Sequence, residues 1–274
     1  GSEMASARVR GFQGKDLSDP FTHIACAKHF AAYGAAQAGR DYHTVDISDR
    51  VLREIYLPPF KAALDAGVAS YMTSFNEVDG VPASGSHYLL TEILRDEWGF
   101  DGFVVTDYSS INEMMDHGVA ADLKGAAHQS AEAGVDMDMQ GAAFYDHLVE
   151  LVENGDIPQS RVDHAVRNIL RMKFALGLFD DPYKYSNPTR EAENIYTAAH
   201  REASRRIARE SMVLLQNEND ILPLSADIDR LALIGPLGDS QADMLGAWHG
   251  AGRAEECVSL LTGLREALGD DVQS

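Results

Sequence analysis

Apolar and polar positions switch between two periods along the first two thirds of the chain. Residues 22–30 (THIACAKHF) are a short apolar run that ends in charge, as a strand would. Residues 50–64 (RVLREIYLPPFKAAL) have helical spacing, and Pro58-Pro59 predicts a break inside that helix. Gly67 closes it, and 68–75 (VASYMTSF) reads as a second strand. Residues 86–97 form an amphipathic helix stopped by Gly99. Residues 102–106 (GFVVT) are a third strand, 122–133 an Ala-rich helix, and 135–139 (VDMDM) a fourth strand after Gly134. Two more helices are expected near 143–153 and 159–175, and residues 3–10 also read as helix.

Four strand–helix units in succession imply a parallel sheet with helices outside it. An open doubly wound sheet and part of an eight-stranded barrel both satisfy that pattern. No G-x-G-x-x-G or G-x-x-x-x-G-K-[ST] follows a strand, which favours the barrel. Residues 180–190 are rich in proline and polar groups and read as a linker. A helix over about 192–216 and a strand at 231–234 (LALI) then open a second α/β unit. The expected organisation is therefore a partial (β/α) barrel over 1–180, a linker over 181–200, and the start of a second α/β domain over 201–274.

Composition narrows the function. The 274 residues carry 23 basic and 43 acidic side chains, a net charge of −20. An excess of carboxylates disfavours binding to nucleic acid or to an anionic membrane. No apolar run is long enough to span a bilayer as a helix. Cys26 and Cys257 make neither a disulfide framework nor a zinc site, and Cys26 reads as a buried small hydrophobe. The beginning of the chain carries no leader signature, which leaves its compartment open.

Candidate chemistry gathers at the carboxyl ends of the strands, where parallel α/β folds build their sites. The first ends in Lys28-His29, the second in Asn76-Glu77, the third in Asp107-Tyr108, and the fourth carries Asp136 and Asp138. Plainer readings exist for each. Asp107 could cap the following helix, Glu77 could bond its own loop, and Asp136 and Asp138 could tie the helical layer down. An ionised Asp beside cationic and aromatic side chains nevertheless suits a carboxylate nucleophile acting on a sugar. No H-E-x-x-H supports a metalloprotease and no G-x-S-x-G supports a serine hydrolase.

At these residues the sequence resembles the family 3 glycoside hydrolases, bacterial β-glucosidases in particular. The resemblance is carried by Lys28-His29-Phe30-Ala31-Ala32-Tyr33-Gly34, Gly39-Arg40-Asp41-Tyr42, Met72-Thr73-Ser74-Phe75-Asn76-Glu77, and Gly102-Phe103-Val104-Val105-Thr106-Asp107. It continues through Ala133-Gly134-Val135-Asp136-Met137, Gly177-Leu178-Phe179-Asp180-Asp181-Pro182-Tyr183 and Val213-Leu214-Leu215-Gln216-Asn217, nearly the whole chain. It implies the C-terminal half of a (β/α)8 TIM-like barrel followed by the beginning of an α/β sandwich domain.

The implied activity is that of a retaining, exo-acting β-glucosidase that forms a covalent glycosyl-aspartate, with another β-glycosidase such as a β-xylosidase, or an inactive truncated fragment, as the alternative. Asp107 matches the nucleophile. Lys28, His29 and Arg40 match positions that hold sugar hydroxyls. Met72, Phe75 and Tyr108 match pocket-lining positions, the last two standing where many members carry Tyr and Trp. Trp248 and His249 resemble a loop that reaches the same pocket. The general acid/base of the family falls beyond Ser274, and the barrel of the family begins upstream of Gly1. The expected substrates are β-linked glucosides or short oligosaccharides, with no cofactor and no metal. Assembly with other copies, or completion by further parts of the same enzyme, is expected to cover the open barrel. The acidic charge suits a periplasmic or secreted enzyme as well as a cytosolic one.

Overall fold

The computed structural model describes residues 1–269 except Ala226 and Asp229. It divides into two compact units, Gly1–Ala192 and Glu193–Ser274.

In the first unit, strands β1 (Cys26–Phe30), β2 (Ser70–Thr73) and β5 (Phe103–Val105) form a parallel sheet in the order β1-β2-β5, while β3 (Glu77–Val78) and β4 (Val81–Pro82) make a small antiparallel hairpin. The fourth expected strand is reduced to a single parallel bridge, Val105 to Met137. The sequence alternates there between aspartates and apolar residues, and Asp136 turns into the helical layer instead of extending the ladder. Helices follow the strands as expected: Pro58–Asp65 after β1, Tyr88–Glu97 after β2 and Leu123–Ala133 after β5, with Ala143–Glu153 and Gln159–Ala175 beyond. The helix over 50–64 is interrupted where the prolines predicted: a turn at Asp49–Val51 and a wider coil at Leu52–Tyr56 precede Pro58, which starts a new helix.

Aromatic packing fixes the back of the sheet. Phe30 and Tyr71 are fully buried. Their rings meet edge to face at 5.4 Å, Tyr71 meets Phe100 at 4.8 Å, and the Tyr71 hydroxyl donates to the Phe60 carbonyl at 2.7 Å. Leu89, Leu90, Ile93 and Leu94 cover the same core from the helix over 88–97. Gln13, near the end of the first helix (Ser2–Gln13), accepts from the backbone N–H of Ala25 at 3.2 Å and of Ala69 at 3.0 Å. One side chain thereby satisfies the residues that lead into β1 and β2. β1 is an edge strand, and Cys26, expected to be buried, is exposed on it.

The proline-rich stretch after 180 is fastened to the first unit. The Tyr185 hydroxyl donates to Leu17 O at 2.5 Å and to Leu176 O at 3.0 Å, and Arg190 lies over the Phe21 ring. The second unit contains the helices Ala198–Ser211 and Leu260–Leu268. Its described residues contain no strand, so the strand expected at 231–234 does not form. A strand of a parallel sheet needs a neighbour to take its backbone hydrogen bonds, and those residues supply none.

Candidate active site

Asp107 stands two residues after the end of β5, in a tightly bonded loop. Thr106 N–H donates to Met137 O at 2.9 Å, and the Thr106 hydroxyl accepts from Met139 N–H at 2.8 Å. Ser109 takes a left-handed backbone (φ 57°), with its N–H bonded to Met139 O at 2.9 Å. The next helix, Ser110–Glu113, starts without a side-chain cap. Asp107 therefore does not serve as its cap: Oδ1 accepts from the adjacent Tyr108 N–H at 2.7 Å. A buried chain of hydroxyls, Thr73 to Ser84 to Ser110 at 2.7 Å each, ties the end of β2 to this helix.

The second Asp107 oxygen faces His29. Nε2 of His29 lies 3.2 Å from Oδ2 of Asp107, and the Asp107 side chain is only 13% exposed. Burial lowers the His29 pKa, and Lys28 lowers it further, while the charges of Asp107 and Asp41 oppose both effects. The imidazole is thus neutral at pH 7, and its Nε2–H can donate to the carboxylate without competing for its charge.

Tyr33 backs this pair. Its ring meets His29 edge to face at 5.3 Å, and its hydroxyl donates to Asp41 Oδ1 in a short bond. Burial, and then the bond to Asp41, raise the Tyr33 pKa, so the phenol stays protonated and remains a donor. Phe75 packs beside Tyr33 at 6.2 Å and Tyr42 at 4.6 Å. An aromatic wall therefore runs from His29 through Tyr33 and Phe75 to Tyr42.

Of the residues expected from sequence, the structure brings His29 onto Asp107 and Phe75 onto the adjoining wall. Lys28 shares β1 with His29, is exposed, and acts electrostatically on it. Arg40 is exposed beside Asp41 and its guanidinium makes no hydrogen bond or ion pair among the described residues. Met72 is buried on β2 at the register of Val105. Tyr108 is exposed. Trp248 and His249 belong to the second unit, where both side chains are exposed.

Glu77 holds loops together. It accepts from the Thr44 hydroxyl at 2.6 Å, its carbonyl accepts from Val45 N–H at 2.9 Å, and its second carboxylate oxygen lies 3.8 Å from His117 Nδ1. Asp136 is fully enclosed between Arg95 and Arg161. Tyr33, Asp41 and Glu113 were not singled out from sequence. Asp41 adjoins Arg40 in the quoted Gly39–Tyr42 motif, and Glu113 lies one helical turn beyond the Asp107 loop, so proximity along the chain was the available signal.

The chain matches two family models: the Glycosyl hydrolase family 3 N terminal domain over residues 1–172, and the Glycosyl hydrolase family 3 C-terminal domain over 212–274. It belongs to glycosyl hydrolase family 3. Over 98% of its length it is 41% identical to a periplasmic beta-glucosidase of Salmonella typhimurium, and it covers 35% of that protein. It is 36% identical over 99% of its length to a beta-xylosidase of Formosa agariphila, covering 40% of it. The crystal structure of a beta-glucosidase from Listeria innocua in complex with glucose superimposes with a TM-score of 0.88 at 40% identity, over 99% of this chain and 37% of that one. The chain thus spans well under half the length of the relatives it matches.

Proposed function

We propose that this chain carries the nucleophile and part of the sugar-binding wall of a retaining, exo-acting β-glucosidase. The observation that carries the reading is the Asp107–His29 contact at the carboxyl end of a parallel sheet. Asp107 keeps Oδ2 toward a neutral imidazole and Oδ1 toward a single backbone N–H. In the reaction, one carboxylate oxygen attacks the anomeric carbon, the glycosidic bond breaks, and the leaving oxygen takes a proton. Water then cleaves the glycosyl-aspartate and restores the carboxylate. Lys28, His29 and Arg40 suit the hydroxyls of the terminal sugar, with Met72, Phe75 and Tyr108 lining its surroundings. The acid/base that protonates the leaving group is sought outside residues 1–274.

Glucose as the terminal sugar is supported by the beta-glucosidase relatives, and the glucose complex in the Listeria structure points the same way. Xylose is the second reading, favoured by the beta-xylosidase relatives. The periplasmic relative supports export from the cytoplasm. Among the described residues no helix is long and apolar enough to cross a membrane.

A 2-deoxy-2-fluoro-glucoside with a dinitrophenolate leaving group tests the reading. Such a leaving group departs without a proton, so glycosylation does not wait for the general acid. Mass analysis of the peptides is expected to find the fluorosugar on Asp107. Label on another carboxylate, or a xylosyl analogue reacting where the glucosyl one does not, overturns the residue or the sugar respectively.

A further inference from the structure

A cavity of about 280 Å³ lies beside this site, lined by Tyr42, Glu113, Asp116 and His117. Its aromatic side is fixed. Tyr42 is held in a left-handed backbone (φ 62°), its N–H donates to Asp41 Oδ1 at 3.1 Å, and its ring packs on Phe75 while staying 45% exposed. A half-exposed ring backed by a second ring is a platform for the flat face of a sugar or an aryl group.

The cavity adjoins Asp107. Glu113 closes the short helix that starts at Ser110, whose N–H bonds the Asp107 carbonyl at 3.1 Å. Burial raises the pKa of Glu113, and the charges of Asp116, Asp107 and Asp41 raise it further. Tyr42 also senses Glu113, Asp41 and Asp107. Four carboxylates therefore act on one small space. The basic candidates for a sugar's hydroxyls, Lys28, the neutral His29 and Arg40, stand on β1 and the segment after it. Among the described residues that line the cavity, the one basic group, His117, faces Glu77 at 3.8 Å.

We propose that the cavity bounded by Tyr42, Glu113 and Asp116 receives the leaving group of the glycoside and rejects leaving groups that carry a negative charge. Tyr42 supplies the stacking surface, and Glu113 and Asp116 determine the specificity. The preferred aglycones are neutral sugars or aryl groups whose hydroxyls donate to carboxylates; uronic acids and other anionic units are excluded by repulsion. The inference rests on the glycosidase reading and adds the charge of the group that departs.

The test compares two aryl β-glucosides that differ only in a ring carboxylate and its methyl ester. For the protein as it stands, kcat/KM is expected to favour the ester by about tenfold, the size that two or three unit charges within a few ångström of a solvated cavity produce. Glu113→Gln with Asp116→Asn is expected to bring the ester-to-carboxylate ratio down severalfold, which cancels the difference in leaving-group chemistry. Raising the salt from about 0.02 M to about 0.5 M should narrow the ratio in the unsubstituted protein, because exposed charges are screened over a few ångström. The salt measurement decides the matter if the double variant fails to fold. A ratio that neither salt nor substitution changes overturns the proposal. If both glucosides are inert but the matching xylosides react with the same preference, the glucose reading falls and the cavity assignment stands. If neither sugar reacts and Asp107 takes no fluorosugar label, the glycosidase reading has failed and the cavity assignment falls with it.

Discussion

Asp107 and Asp136 lie at the ends of neighbouring extended segments, yet they are built for opposite purposes. The Asp136 side chain has no exposed surface. It accepts from Val104 N–H at 2.8 Å, Arg95 Nη2 at 2.5 Å, Asn168 Nδ2 at 3.3 Å and Arg161 Nη1 at 3.5 Å. Arg161 also donates to Ala131 O and Val135 O, so the carboxylate binds the sheet, the helix over 88–97 and the helix over 159–175 at one point. Asp107 has one backbone donor and one imidazole, and it keeps some solvent exposure. A carboxylate whose lone pairs are all taken is a fastener. One that keeps lone pairs free next to a pocket is available to bond a carbon atom.

Exchanging the two effects is the strongest way to break this comparison. Asp107→Asn is expected to lower turnover of an aryl glycoside by roughly 10³-fold or more, since the proposed nucleophile is lost. Its thermal midpoint should move by no more than about 2 °C, because few interactions depend on the side chain. Asp136→Ala should do the reverse. It leaves Arg95 and Arg161 enclosed without their counter-ion, a loss of about 3–5 kcal/mol. Denaturant unfolding and initial rates on both variants check the pair. An Asp136→Ala protein that is as stable as the parent would show that the two arginines find solvent without it.

The comparison also shows what a sequence can carry. Apolar runs at 22–30, 68–75 and 102–106 mark β1, β2 and β5 because a buried parallel strand needs a short apolar segment and little else. Pro58-Pro59 marks the helix break by local sterics. Asp136 stands in an equally strand-like stretch, but its partners Arg95 and Arg161 come from two helices well apart in sequence. No local pattern joins them, so the fourth strand was expected at full length. The site follows the same rule. Asp107 and His29 were expected together because each ends a strand of a parallel sheet. Tyr33 and Asp41 join the site through a turn whose shape depends on left-handed residues at Ala32, Ala38 and Tyr42. Those conformations are uncommon for residues with a Cβ and have no simple signature.

Tyr33→Phe sharpens the contrast at lower amplitude. The substitution removes the bond to Asp41 and keeps the ring against His29. The lost bond is partly exposed, so its net value is about 1 kcal/mol. The segment carrying Arg40 should then be held less firmly, and KM for the glycoside is expected to rise about threefold to fivefold with kcat within twofold. A fall in kcat with unchanged KM would place Tyr33 on His29 and Asp107 rather than on the Arg40 segment.

The smallest effect concerns Glu113, where burial works against its charge. Its pKa lies above the ordinary 4.5, raised first by desolvation and then by Asp116, Asp107 and Asp41. A carboxyl in that position binds its proton more tightly in the folded chain than in the unfolded one. Its contribution to stability is therefore present below the unfolded value and is lost as the pH rises through the folded one. Glu113→Gln removes the ionised form and keeps the volume. The thermal midpoint of the variant should exceed that of the parent by about 1–3 °C at pH 7–8, and the gain should vanish near pH 4, where the parent's carboxyl is already protonated. Scanning calorimetry at the two pH values measures the difference directly. A gain that is equal at both would mean that packing, not charge, sets the effect, and Glu113 would then have no claim to govern the charge of the cavity beside Asp107.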